Sequence, residues 1–281
     1  MTDTKPTILW YRRDLRLSDH AALTAACARG GPVIAVFIHD DLSESLGAAP
    51  KWRLGLGVGE LAKTLADKGS RLILRRGKAL TVLRDLVAET GAGDTAVKEA
   101  LKADGIEAKS FGGHLMFEPW TVETGTGAFY KVYTPFWNNV KSRDVEAPLP
   151  TPSSIPAPDT WPRSDDLNDW QMGAAMNRGA DVVRPFVRLG EAAAQARLGH
   201  FMAHIVQDYK ASRDIPGADG TSNLSENLSL GEITPHQCWH AGQRARHEGK
   251  QGAETFLKEL VWREFAYHLM HHTPRILTDN W

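Results

Sequence analysis

The chain has 281 residues, 42% hydrophobic and 24% charged, with 33 Lys and Arg against 34 Asp and Glu for a net charge of −1. That length suffices for two modest domains with their own cores, and the near-neutral balance excludes a molecule that attracts nucleic acid over its whole surface, so any such contact must come from a local basic patch. No apolar run reaches membrane-spanning length, the two cysteines, Cys27 and Cys238, fit no metal or disulfide spacing, and the polar start carries no secretory pattern. A cytoplasmic monomer with no membrane contact, no protein partner and no bound metal is expected.

In chain order, Ile8 to Tyr11 reads as a buried strand, followed by a polar turn and a helix from Ser18 or Asp19 to Ala28. Pro32 to Ile38 is a second apolar strand, Trp52 to Lys68 a helix closed by Gly69, Leu72 to Leu74 a third strand and Leu80 to Glu89 a third helix. Continuous apolar strands alternating with helices predict an α/β domain, a doubly wound parallel sheet covered on both faces. After Gly91-Ala92-Gly93 another apolar strand is due. Asp94 to Lys98 instead reads as the start of a helix reaching Lys102, and Ala108 to Met116 as a strand or loop. The sheet is therefore expected to be one strand short, or a segment after Gly93 to be lacking.

Residues Pro148 to Pro162 contain six prolines among Ser and Thr, the composition of an extended linker. From Leu189 the pattern turns helical: Gly190 to Asp208, a Gly/Asp/Ser-rich loop, Pro235 to Glu248, and Ala253 to His272. Thr234-Pro235-His236-Gln237 combines an N-cap hydroxyl, proline at the first helical position and Gln three residues on. The expected division is an α/β domain over 1–137, a linker over 138–188 and an all-α domain over 189–281.

Two stretches carry candidate chemistry. Gly220-Thr221-Ser222-Asn223-Leu224-Ser225 clusters hydroxyls in a turn, which suits a phosphate. On the helix Phe256 to Met270, Glu259, Trp262 and Arg263 stand at i, i+3 and i+4 and share one face, extended by Phe256, Ala266 and Met270. Leu257, Leu260, Val261 and Phe265 lie opposite and are candidates for burial. By itself this face reads first as a Glu259–Arg263 surface ion pair worth about 0.3–0.5 kcal/mol beside a packed tryptophan. His268, His271 and His272 lack the acidic or cysteine companions of a metal site.

Four blocks occur together and in order: Trp10-Tyr11-Arg12-Arg13-Asp14-Leu15-Arg16-Leu17-Ser18-Asp19-His20, Tyr130-Lys131-Val132-Tyr133-Thr134-Pro135-Phe136-Trp137, the Thr221 to Ser225 turn, and Trp262-Arg263-Glu264-Phe265. In these the chain resembles the DNA photolyase/cryptochrome family. The resemblance implies an amino-terminal α/β domain with an optional light-harvesting pigment, of folate, deazaflavin or flavin type, and an all-α domain that binds FAD. It implies FAD contacts at Tyr209, Thr221, Ser222, Asn223, Leu224, Ser225, Phe256 and Arg263. Glu259 and Trp262 would meet a flipped-out pyrimidine dimer in damaged DNA, and Arg213 the DNA backbone.

The activity so implied is light-dependent repair of cyclobutane dimers, a carbon–carbon lyase reaction in which reduced FAD lends an electron to the dimer. A cryptochrome-type blue-light receptor and a non-catalytic nucleotide-binding or interaction module are the alternatives. Arg12, Arg13, Asp14 and Arg16 are expected to be architectural. Family members continue past the position of Trp281, so a truncated helical domain is expected, with Arg263 deprived of its acidic partner and left as an uncompensated charge.

Overall fold

The computed structural model describes residues 5–92, 94–95 and 107–279. Its strands are β1 (Thr7–Tyr11), β2 (Val33–His39), β3 (Leu72–Arg76), β4 (Asp94–Thr95) and β5 (Glu107–Ala108). The principal helices are α1 (Ala21–Ala28), α2 (Ala48–Asp67), α3 (Ala79–Thr90), α4 (Tyr133–Val140), α5 (Gly190–His200), α6 (Ser225–Leu230), α7 (Pro235–His247) and α8 (Ala253–His272). Among the described residues no helix is long and apolar enough to cross a membrane. Both cysteines are free.

The chain forms two compact units, the first from Met1–Gly112, Leu149–Ala194 and Ser225–Glu232, the second from Gly113–Pro148, Gln195–Leu224 and Ile233–Trp281. In the first, all strands run parallel in the order β3-β2-β1-β4-β5. The chain steps outward from β1 to β3, then returns to the other side of β1, which is the doubly wound arrangement that the alternating pattern predicts. Every residue of β2 is buried. Its odd and even positions serve different cores, as the two-residue period of a strand requires. Val33, Ala35 and Phe37 pack with Leu54, Val58, Leu61 and Leu65 of α2, and Ile34, Val36 and Ile38 with Val82, Leu83 and Leu86 of α3.

The strand expected to be missing is present. Asp94–Thr95 pairs in parallel with β1 through Thr7 and with β5 in turn. A two-residue strand that joins the sheet through backbone hydrogen bonds needs no apolar run, so periodicity could not reveal it. The helix expected from Asp94 therefore begins as a strand, and its remainder to Lys102 lies outside the described residues.

The proline-rich stretch is extended, yet it is held to the first unit. Asp19 and Leu149 exchange two hydrogen bonds, the Val33 N–H donates to the Pro156 carbonyl at 2.8 Å, and Ile155, Trp170 and Met172 are buried in the sheet core. Of the linker expected over 138–188, the part from Leu149 onward groups with the α/β unit. Prolines leave few N–H groups to satisfy, and interspersed apolar residues supply the attraction.

The arginine-rich block after β1 is architectural, chiefly through two of its members. Arg16 is buried and donates to the carbonyls of Ser18, Asp19 and Gly231. Asp14 accepts from the Arg12 N–H and pairs with buried His20 at 3.0 Å, while His20 Nδ1 accepts from Leu23 N at the start of α1. Arg12 and Arg13 are exposed. A second buried network, invisible in the sequence, joins Arg53 to Glu232 at 2.6 and 2.9 Å and to Glu226 at 3.0 Å, with Asn227 donating to Glu232.

Gly231 closes this arrangement. Its φ of +65° is the left-handed region, and a Cβ there would fall on the Arg13 carbonyl oxygen and within 2.7 Å of the Asp14 Cα. Gly231→Ala is expected to cost about 1–3 kcal/mol from overpacking against rigid backbone. Urea unfolding should show a lower midpoint; an unchanged one would mean that the Arg13–Asp14 turn moves aside freely.

In the second unit, α4 lays Phe136, Trp137 and Val140 against Trp239 of α7 and Leu257, Val261 and Phe265 of α8. α7 begins with the expected capping box: Thr234 accepts from Gln237 N, and the Gln237 side chain accepts from Thr234 N. The helix expected from Gly190 to Asp208 is α5 up to His200, followed by a wider π-turn at Phe201–Ile205 and a helical turn at Tyr209–Ser212.

Candidate functional site

The i, i+3, i+4 pattern of α8 is realised as an open stripe. Glu259, Trp262, Arg263, Ala266 and Met270 are exposed or half-buried, while Leu257, Leu260, Val261 and Phe265 are buried. Phe256 departs from its expected place on that stripe. It is buried against Phe201 and Tyr209, with ring centroids 4.8 and 6.1 Å away, and Phe201 meets Tyr209 at 5.2 Å. Phe201 gave no signal of this role, because the π-turn that aims it inward follows from no local pattern. The same corner needs Gly252, whose Cβ would strike the Val206 carbonyl and Tyr209.

The ion pairing differs from the Glu259–Arg263 pair that spacing offers. Glu259 pairs with Arg213, which also lies over the Tyr209 ring at 5.7 Å. Two side chains expected to contact DNA therefore hold each other. The carboxylate holds the Arg213 guanidinium above its ordinary pKa, chiefly by the hydrogen bond between them.

Arg263 turns to the segment before α4. It donates to the His114 carbonyl at 2.8 Å, to His114 Nε2 at 2.8 Å and to Glu264 at 3.2 Å, and lies 5.0 Å over the Tyr267 ring. A guanidinium has no acceptor, so His114 Nε2 must be the bare nitrogen; the Tyr267 hydroxyl reaches it too, at 2.7 Å. The uncompensated arginine expected from the sequence is thus answered within its own unit. Its partner Glu264 is 0% exposed and accepts from the N–H groups of Met116 and Phe117 at 2.8 and 3.0 Å. Burial pushes the Glu264 carboxyl up to about 7, against the opposing pull of those donors and Arg263. A sequence signal did exist, since Glu264 and His268 share the spacing of Leu257, Leu260, Val261 and Phe265. His268 is buried beside Phe136 and accepts from Tyr130 N, and burial pushes its pKa down to about 4, so it packs as a neutral ring.

Trp262 remains 46% exposed. Its indole is stacked on Tyr133 of α4, centroids 3.6 Å apart and planes 8° from parallel, and Phe265 meets both rings edge-on.

Thr221 to Leu224 form an irregular turn of the second unit, and Ser225 opens α6 in the first. Asn223 has a φ of +53°, the Thr221 hydroxyl donates to Asn223 Oδ1 at 3.2 Å, and Arg197 donates to the Asn223 carbonyl at 3.0 Å. Leu224 is buried, and Ser222 is half-buried. Gly220 lies so close to Ser212 that a Cβ would come within 2.7 Å of its carbonyl oxygen. Hydroxyl donors on a sharply turned backbone, with an arginine bonded to that backbone, fit an anionic phosphate group.

A family model described as DNA photolyase matches residues 7–154. The deoxyribodipyrimidine photo-lyase of Agrobacterium fabrum is 39% identical over 99% of this chain and 62% of its own length. That of Synechococcus sp. PCC 6301 is 32% identical over 96% of this chain and 61% of its own. The solved structure of a bacterial class III photolyase from Agrobacterium tumefaciens matches with a TM-score of 0.93 at 37% identity, over 100% of this chain and 62% of that one. The chain therefore spans about three fifths of the length of these proteins.

Proposed function

This chain belongs to the DNA photolyase family, and from that premise we propose that it serves light-dependent repair of cyclobutane pyrimidine dimers in DNA, as a flavin-dependent carbon–carbon lyase. The observation that carries the reading is the α8 stripe, where a half-exposed indole stands one turn from a carboxylate paired to an arginine. A dimer inside a duplex is out of reach and must be extruded, which costs a few kcal/mol and less at a damaged step. The open indole face of Trp262 receives it, and stacking of this kind contributes about 1–3 kcal/mol per base. Glu259 reads the polar edge of the bases, and Arg213 takes a phosphate of the backbone. The pair they form beforehand is partly exposed and so worth about 0–1 kcal/mol, little enough for substrate groups to displace it.

Tyr209, Phe256 and the Thr221 to Ser225 turn, with its donors at Ser222, Asn223 and Leu224, would hold FAD. When bound, the flavin supplies the light-driven electron that opens the dimer. Arg263 would add a positive charge whose position is set by His114 and Glu264. A second, light-harvesting pigment belongs to the α/β unit in this reading, and the protein acts as a cytoplasmic monomer.

The test begins with an absorption spectrum and a blue-light repair assay on an oligonucleotide carrying one thymine dimer. Flavin bands with dimer splitting support the lyase. Bound flavin without splitting would point to a cryptochrome-type receptor, and a colourless chain to a non-catalytic module. Thr221→Ala combined with Ser225→Ala removes two donors to a charged group, each worth about 1.5–3 kcal/mol. FAD is expected to bind at least about a hundredfold more weakly; undiminished flavin content would show that the turn holds something else.

A further inference from the structure

The block Tyr130 to Trp137 identified the family but received no role of its own, and one of its residues lies directly against the exposed ring of α8. Tyr133 is the ring stacked on Trp262 among the described residues, at 3.6 Å and 8°. Its hydroxyl donates to the Lys258 carbonyl at 2.7 Å. In α8 that carbonyl also receives the N–H of the residue four positions on, which is Trp262 itself. Ring and hydroxyl thus grip the same turn, the ring by its face and the hydroxyl by the helix carbonyl beneath it. Phe265 closes the edge of both rings at 5.9 and 5.8 Å. Burial, reinforced by Glu259, holds the Tyr133 hydroxyl above its ordinary pKa, so it stays a donor.

We propose that Tyr133 is a positioning residue for base recognition: it backs one face of Trp262 and locks the indole in a single rotamer, so that the opposite face is presented to an extruded base already ordered. An unbacked tryptophan on an exposed helix stripe samples several rotamers, and a base that stacks on it must freeze them. Preorganisation removes that cost from binding. The hydroxyl keeps Tyr133 upright, and the flat ring does the backing, so the ring matters more than the hydroxyl. This inference rests on the reading of Trp262 as the platform for the damaged base.

The experiment is dark equilibrium binding of the full chain to a fluorescent oligonucleotide carrying one thymine dimer, and to its undamaged counterpart. Tyr133→Leu is expected to raise the Kd for damaged DNA about three- to tenfold, the size of one immobilised side chain, with the undamaged Kd unchanged. Tyr133→Phe should bind as the parent does, and Tyr133→Leu should add nothing on top of Trp262→Ala. If Trp262→Ala weakens damaged binding and Tyr133→Leu does not, or if the two losses add, the positioning role is overturned while the platform stands. If Trp262→Ala itself changes nothing, the platform reading fails and this inference falls with it. Labelling with 5-fluorotryptophan gives a readout that needs no folded Leu variant: the resonance missing from Trp262→Ala should be displaced by the Tyr133 ring current in the parent chain. An undisplaced resonance overturns the stack.

Discussion

Replacing Glu264 by alanine is expected to destabilise the second unit by about 2–6 kcal/mol, because two backbone N–H groups lose their buried acceptor at about 1–3 kcal/mol each. The carboxylate has no exposed surface and answers three groups at once: the N–H of Met116, the N–H of Phe117 and the Arg263 guanidinium. Without it, two backbone donors are stranded out of water, and Met116 and Phe117 lose their hydrogen bonds to α8. Chemical denaturation of Glu264→Ala should show this as a lower midpoint with an unchanged slope. A loss under 1 kcal/mol would mean that water replaces the carboxylate.

The same group sets a pH dependence whose sign follows from its raised pKa. In the folded chain Glu264 keeps its proton up to about pH 7, whereas an unfolded glutamate releases it near 4.3. The folded state therefore binds more protons between these values, and stability falls as pH rises through that window. The contribution is complete below about pH 4.3 and gone above about 7. Glu264→Gln cannot titrate, so its thermal midpoint should lack this part of the slope, and parallel curves for the two proteins would refute the buried acid.

The second large effect is on binding. Trp262→Ala is expected to weaken affinity for dimer-containing DNA about 5- to 150-fold, the equivalent of 1–3 kcal/mol of base stacking. Affinity for undamaged DNA should hold, since that term comes from phosphate contacts elsewhere. Bound flavin should also stay, because the residues proposed to hold it, Tyr209 and Phe256 among them, pack with Phe201. Dark titrations at one fixed salt concentration measure the first two, and the visible spectrum the third. Equal weakening on both DNAs would reassign Trp262 to general adhesion.

Much of this molecule follows from local pattern. The buried strands around Trp10, Val36 and Ile73, the capping box at Thr234 and the full length of α8 could be read directly, because continuous apolar runs, N-cap hydroxyls and the 3.6-residue period act within a few residues of each other. Family membership was equally legible from four short blocks. What the sequence left undecided was each choice of partner between distant residues. Spacing offered Glu259 to Arg263, but tertiary packing gave Glu259 to Arg213 and turned Arg263 toward His114 and Glu264. Backbone pairing alone placed β4 beside β1, apolar contacts folded the proline-rich stretch onto the sheet, and a π-turn brought Phe201 to Phe256. The physical reason is range: helix and strand periods are near-neighbour effects, whereas ion pairs, ring stacks and short ladders depend on which surfaces meet once the chain has closed.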